Sequence, residues 1–111
     1  MILTEKDIVA INQEHEHGRI VNASSLRFAH EYARRTKNWT KGLAYVVRAI
    51  LIDHVFEDGN KRTAAAVIIA EAESQGFGFD KDRLTKLVVA ILRKNITNIK
   101  TIEEMVKDVI E

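Results

Sequence analysis

Apolar residues recur at intervals of three and four along most of this chain, the period of helices with one buried face. The opening Thr4-Glu5-Lys6-Asp7 is an N-cap followed by acidic residues, with Ile8 and Ile11 behind it, and this first helix is expected to run to about His17, where Gly18 stops it. Ser24 or Ser25 can cap a second helix to about Thr36, its apolar face carrying Leu26, Ala29, Tyr32 and Ala33. Two stretches break the one-sided pattern. Leu43 to Asp53 and Thr63 to Ala72 are apolar on nearly every side, which predicts two helices buried at the centre. Thr40 is the expected cap of the first, with Trp39 packed against it and Arg48 reaching the surface; the second continues to Gln75, with Gly76 as its stop. Phe77-Gly78-Phe79 is an apolar turn that closes the core or walls a pocket. Asp80 then caps a helix bearing Leu84, Leu87, Val88, Ile91 and Leu92, and Asn95 to Lys100 links it to the last, where Thr101-Ile102-Glu103-Glu104 reads as a capping box ahead of Met105, Val106 and Val109. About six helices follow, with no strand, no internal repeat and no Pro- or Gly-rich linker. The expectation is a single all-α domain over residues 1–111.

Composition narrows the classes open to such a domain. With 111 residues, 46% of them hydrophobic and 30% charged, the chain can bury a core without staples. It has no cysteine, so disulfides and thiolate metal sites are excluded. A net charge of +1 supplies no overall field for nucleic acid. No apolar run nears the roughly 18 residues of a membrane span, and the N-terminus lacks a signal-peptide pattern. A cytoplasmic protein with no membrane partner and no direct nucleic-acid partner is expected. His15 and His17 invite a zinc reading, but residues two apart face different ways on a helix and no histidine pair falls at i, i+3 or i+4.

Between the two apolar helices lies His54-Val55-Phe56-Glu57-Asp58-Gly59-Asn60-Lys61-Arg62, a polar connection where the surroundings are greasy. The start of a helix presents backbone N–H groups without partners and the positive end of its dipole. Gly59 can take the positive φ that turns those groups into a phosphate nest. Asn60 adds amide donors, and Lys61 and Arg62 add positive charge, the arginine with a fork suited to phosphate. Asp58 would repel such a ligand unless a cation lies between, and Mg²⁺ is commonly held by one or two carboxylates plus phosphates. His54, placed at the end of the preceding helix, is the natural general base near neutral pH. Phe56 is expected to turn inward and pin the loop. The plainer alternative is a helix end, an Asp-Gly-Asn turn and a solvated cationic pair; a turn alone, however, needs only Asp-Gly or Gly-Asn.

In this order the residues resemble the signature of the Fic/Doc family, His-x-Phe-x-Asp/Glu-Gly/Ala-Asn-x-Arg, matched by His54, Phe56, Asp58, Gly59, Asn60 and Arg62. The likeness extends loosely to the opening Leu3-Thr4-x-x-Asp7-Ile8 segment. It implies a mostly helical Fic/Doc-like domain with the active-site loop between two buried central helices. It also implies an enzyme that uses ATP and Mg²⁺ to move AMP or phosphate onto a hydroxyl of a target protein. In that scheme His54 deprotonates the hydroxyl, Asp58 holds the metal, and Asn60 and Arg62 bind phosphates, with Gly59 and Lys61 beside them as parts of the phosphate nest read from the residues.

The chain departs from the adenylylating Fic pattern at Lys61, where that pattern has Gly, and at Ala65, where it has a second Arg. Lys61-Arg62-Thr63-Ala64 is more like the Doc branch, toxins of toxin–antitoxin pairs that phosphorylate their targets, although Doc commonly has Ala where this chain has Gly59. Arg19 to Asn22 matches the place of a flap that docks the target segment in relatives, and an ordinary surface loop would read the same. Many relatives restrain themselves with Ser/Thr-x-x-x-Glu; no Ser or Thr here has a Glu four residues later, which points to control by a separate antitoxin. The expectation is a Doc-like phosphotransferase. The alternatives are a Fic-type adenylyltransferase and a catalytically silent module that binds a nucleotide or a protein.

Overall fold

The computed structural model describes residues 1–111. Its helices are α1 (Glu5–Gln13), α2 (Ala23–Arg35), α3 (Trp39–Leu51), α4 (Asn60–Ser74), α5 (Lys81–Lys94) and α6 (Ile99–Val109). No strand forms; two isolated antiparallel bridges, Ile20 with Phe56 and Phe79 with Ile110, are the only β pairings. Helix α3 is the axis of the bundle, flanked by α2, α4 and α6, while α1 lies on α4 and α5 on α6. One continuous core of 23 buried residues joins all six helices, as the all-round apolar character of α3 requires. Helices α2 and α3 approach closely at Gly42 and Ala33. A Cβ on Gly42 would stand 2.9 Å from the Ala33 Cα, so only glycine lets the two backbones meet there.

Polar groups inside this core have partners. Glu71 of α4 is fully buried, and its carboxylate accepts from the backbone N–H of Ile2 and of Leu3 at 2.9–3.0 Å and from Gln75 Nε2 at 2.8 Å. That arrangement ties the extended segment before α1 to a central helix, meeting the cost of burying a charge with charge-assisted hydrogen bonds.

Several helix ends differ from the sequence expectation. Helix α1 stops at Gln13, not near His17, because the Asn12 side chain takes over as the partner of the returning chain: its Oδ1 accepts from the Gly18 N–H at 2.8 Å. His15 and His17 therefore lie in the turn beyond the helix. Helix α2 is capped by Asn22 rather than Ser24 or Ser25, α3 by Asn38 rather than Thr40, and α6 by Asn98, so that Thr101 sits in the first turn instead of heading a capping box. In each case an asparagine stands two or three residues ahead of the hydroxyl candidate and its side chain accepts from the N–H three positions on. Asp80 caps α5 as expected, with Oδ1 accepting from the Arg83 N–H at 2.9 Å. Gly76, at φ 88°, ends the turn after α4. Phe77 stacks on Trp39 with ring centroids 5.7 Å apart, and Phe79 packs against the core; the turn closes the bundle and does not wall the cleft described below. Arg48 reaches the surface, where it donates to the Thr97 carbonyl and lies over the Tyr45 ring.

Candidate functional site

Helix α3 ends at Leu51, and the chain reaches α4 through Ile52 to Gly59. Burial alternates along this connection in a way that explains its shape. Val55 and Phe56 are buried, anchoring the loop from below as expected for Phe56, while Asp53, His54, Glu57 and Asp58 stay at the surface. His54 is not the last residue of the helix. It stands beyond the Ile52 cap in the left-handed conformation, φ 52°, a state uncommon for non-glycine residues and enriched for histidine, asparagine and aspartate. The reversal lets the next two side chains enter the core and turns the imidazole outward.

Gly59 caps α4 at φ 77°. The other helices all receive a side-chain cap, from Thr4, Asn22, Asn38, Asp80 and Asn98; α4 alone receives none. The backbone N–H groups of Asn60, Lys61 and Arg62 have no partner within the chain, leaving the positive end of a 15-residue helix open. The Asn60 side chain is engaged with the loop itself: Nδ2 donates to the Phe56 carbonyl at 2.9 Å and Oδ1 accepts from the Phe56 N–H at 3.1 Å. Asn60 thus sets the loop's shape and offers its backbone N–H to the cleft.

These groups converge. A cleft of about 360 Å³ is lined by Glu16, His54, Glu57, Asp58, Gly59, Asn60, Lys61, Arg62 and Leu92, so the six candidate site residues His54, Asp58, Gly59, Asn60, Lys61 and Arg62 border the same space. Lys61 and Arg62 are exposed and belong to none of the chain's ion pairs. Asp58 is likewise unpaired, whereas Glu57 meets Arg19 at 3.6 Å. No group of three or more His, Cys, Asp or Glu side chains is arranged to hold a metal alone. Asp58, an exposed carboxylate free of ion pairs beside an open helix start, fits Mg²⁺ that takes its other ligands from phosphate and water.

Three contributors were not legible as site residues. Leu92 belongs to the apolar stripe of α5 and closes the far wall of the cleft. Glu16 comes from the turn after α1. Asn12, 1% exposed, organises the floor: Nδ2 donates to the Asp58 carbonyl at 3.0 Å and to Thr63 Oγ1 at 2.9 Å while Oδ1 holds Gly18. Its signal was a polar residue four positions after Ile8 on the buried face of α1. Replacing Asn12 with alanine leaves three groups unpaired, two of them in or beside the loop, and is expected to cost about 2–4 kcal/mol. Scanning calorimetry should register this as a fall in Tm of roughly 10 °C or more; a change of less than about 3 °C would mean that water replaces the amide freely.

The segment Arg19 to Asn22 lies alongside the same loop. The Val21 N–H donates to the Val55 carbonyl at 2.8 Å, the Asn22 N–H to that carbonyl at 3.2 Å, and the Glu57 N–H to the Arg19 carbonyl at 3.0 Å. Val21, 58% exposed, presents an apolar side chain beside the loop it pairs with. No protein-family model matches the chain, and none of the curated proteins or solved structures matches it.

Proposed function

We propose that the chain is a Fic/Doc-type enzyme that transfers the γ-phosphoryl group of Mg-ATP to a hydroxyl of a target protein, acting as the toxin of a toxin–antitoxin pair. The observation that carries this reading is the convergence of His54, Asp58, Lys61 and Arg62 on one cleft at the only helix start left without a side-chain cap. A binding module needs the anion nest but has no use for an imidazole turned outward beside it. In the proposed reaction the target O–H gives its proton to His54, the O–P bond forms, and the bond from the γ-phosphorus to the bridging oxygen breaks to release ADP. The free N–H groups of Asn60, Lys61 and Arg62, with the two cationic side chains, meet charge on the phosphoryl oxygens. Bound Mg²⁺ would neutralise phosphate charge, with Asp58 as its protein ligand.

Phosphate is preferred to AMP as the transferred group because Lys61 fills the position that the adenylylating pattern leaves open and Ala65 supplies no outer anchor. Gly59, the one residue that favoured the adenylylating branch, has a local cause in this chain. Its positive φ and the Glu16 side chain standing where a Cβ would go both favour glycine whatever is transferred. The exposed Val21 edge beside the loop supports a role for Arg19 to Asn22 in docking the target. With no self-restraining motif in the sequence, control is assigned to an antitoxin partner.

Titration calorimetry tests the nucleotide site. ATP should bind at least about tenfold better with Mg²⁺ than without, a difference of about 1.4 kcal/mol, and Asp58→Asn should erase most of that gain. Equal affinity with and without the ion would remove Asp58 from its proposed role.

A further inference from the structure

The tightest neighbour of Gly59 is the Glu16 side chain, with the Asn12 amide next. A Cβ there would lie 2.5 Å from the Glu16 Cγ and 3.4 Å from its Cδ, so the Glu16 side chain occupies the space that a residue 59 side chain would take. Glu16 is held in place from behind, its N–H donating to the Asn12 carbonyl at 2.9 Å. It is half-buried, and it belongs to none of the chain's ion pairs. Glu16 lines the same cleft as Asn60, Lys61 and Arg62 and, with Arg19, a small hollow beside it, yet no cation comes within ion-pair distance of its carboxylate. Glu57, the other glutamate on that rim, is met by Arg19. A cleft that was only a phosphate cradle would gain nothing from an unpaired carboxylate packed over its glycine, because like charge opposes the ligand in a partly desolvated site.

We propose that Glu16 sets the ligand selectivity of the cleft, opposing a phosphate that enters bare and tolerating one whose charge is already met by a divalent cation. The role rests on the nucleotide-site reading above and extends it. The mechanism is electrostatic. A bare diphosphate group meets Glu16 and Asp58 together, whereas a magnesium-bound one presents less net negative charge to both. Glu16 thus acts through the charge of the ligand and takes no part in the transfer itself.

The test uses inorganic pyrophosphate as probe, followed through the backbone amide resonances of Asn60, Lys61 and Arg62, with and without Mg²⁺. Glu16→Gln keeps the packing against Gly59 and removes the charge. It is expected to tighten metal-free binding by on the order of tenfold and to change binding with Mg²⁺ by less than about twofold. Glu14→Gln makes the same change in net charge on an exposed residue outside the cleft and should leave both affinities as they are. Equal affinities in wild type and Glu16→Gln without the metal would overturn the proposal, as would an equal gain in both conditions or the same gain in Glu14→Gln. Failure of the nucleotide-site reading shows differently, as a wild type that binds neither Mg-ATP nor pyrophosphate with Mg²⁺; a metal-free gain in Glu16→Gln would then still stand as an anion effect of Glu16.

Discussion

His54→Ala is expected to lower transfer to a target protein by about 10²- to 10⁴-fold, the usual worth of a positioned general base, while leaving the fold in place. The side chain is exposed and makes no hydrogen bond within the chain, so its removal opens no cavity. The backbone at φ 52° carries a left-handed cost of about 1–2 kcal/mol for any residue with a Cβ, histidine included, so alanine adds little to it. His54→Asn tolerates it better and serves as the second variant. Loss of transfer in both, with melting close to wild type for the asparagine, isolates the imidazole. His15 and His17, exposed in the turn after α1, should be replaceable without effect on transfer, whereas His30, whose Nε2 lies 2.9 Å from the Leu3 carbonyl, should affect stability only. Full activity in both His54 variants would remove the base from the scheme.

Gly59→Ala is expected to damage both stability and ligand binding. The left-handed backbone costs a non-glycine residue about 1–2 kcal/mol, and the new methyl meets Glu16 Cγ at a separation that forces one of them to move. The two costs are separable. In a Glu16→Ala background the steric part disappears and the backbone part remains, so Gly59→Ala should lower Tm by roughly 5–10 °C in that background and by more in the wild type. Chemical denaturation of the four proteins measures the coupling directly. Strict additivity would mean that Glu16 swings aside at no cost and does not lean on Gly59 in solution.

These two sites also show what could be read without coordinates. The motif was legible because its residues are consecutive: nine positions that run from a loop into the first turn of α4 bring His54, Asp58, Lys61 and Arg62 together whatever the rest of the bundle does. The helices were legible because Leu43 to Asp53 and Thr63 to Ala72 are apolar on nearly every side. Contributions from other elements were not. Glu16 and Leu92 reach the cleft only because α1 lies on α4 and α5 closes the opposite side, and the spacing of apolar residues does not say which helices are neighbours. Helix ends were misplaced for a related reason. Asn12 outcompetes the continuing helix for the Gly18 N–H, a bond across a turn that local propensity does not weigh. Asn22, Asn38 and Asn98 take the caps because the chain enters each helix from a direction set by packing. The left-handed turn at His54 follows from the need to bury Val55 and Phe56 directly after a helix whose buried residues run to Leu51.

The most direct measurement is the transfer of label from ATP. The purified chain, and separately its His54→Asn variant, is incubated with Mg²⁺, cell extract and ATP labelled at either the α or the γ position, and proteins are resolved by electrophoresis. The account predicts a protein band labelled from the γ position and not from the α position, with wild type and not with the variant. Label from the α position would replace phosphate by AMP as the transferred group. Absence of label from either position, or label that persists undiminished in the His54 variant, would contradict the proposal that this cleft is a transferase site.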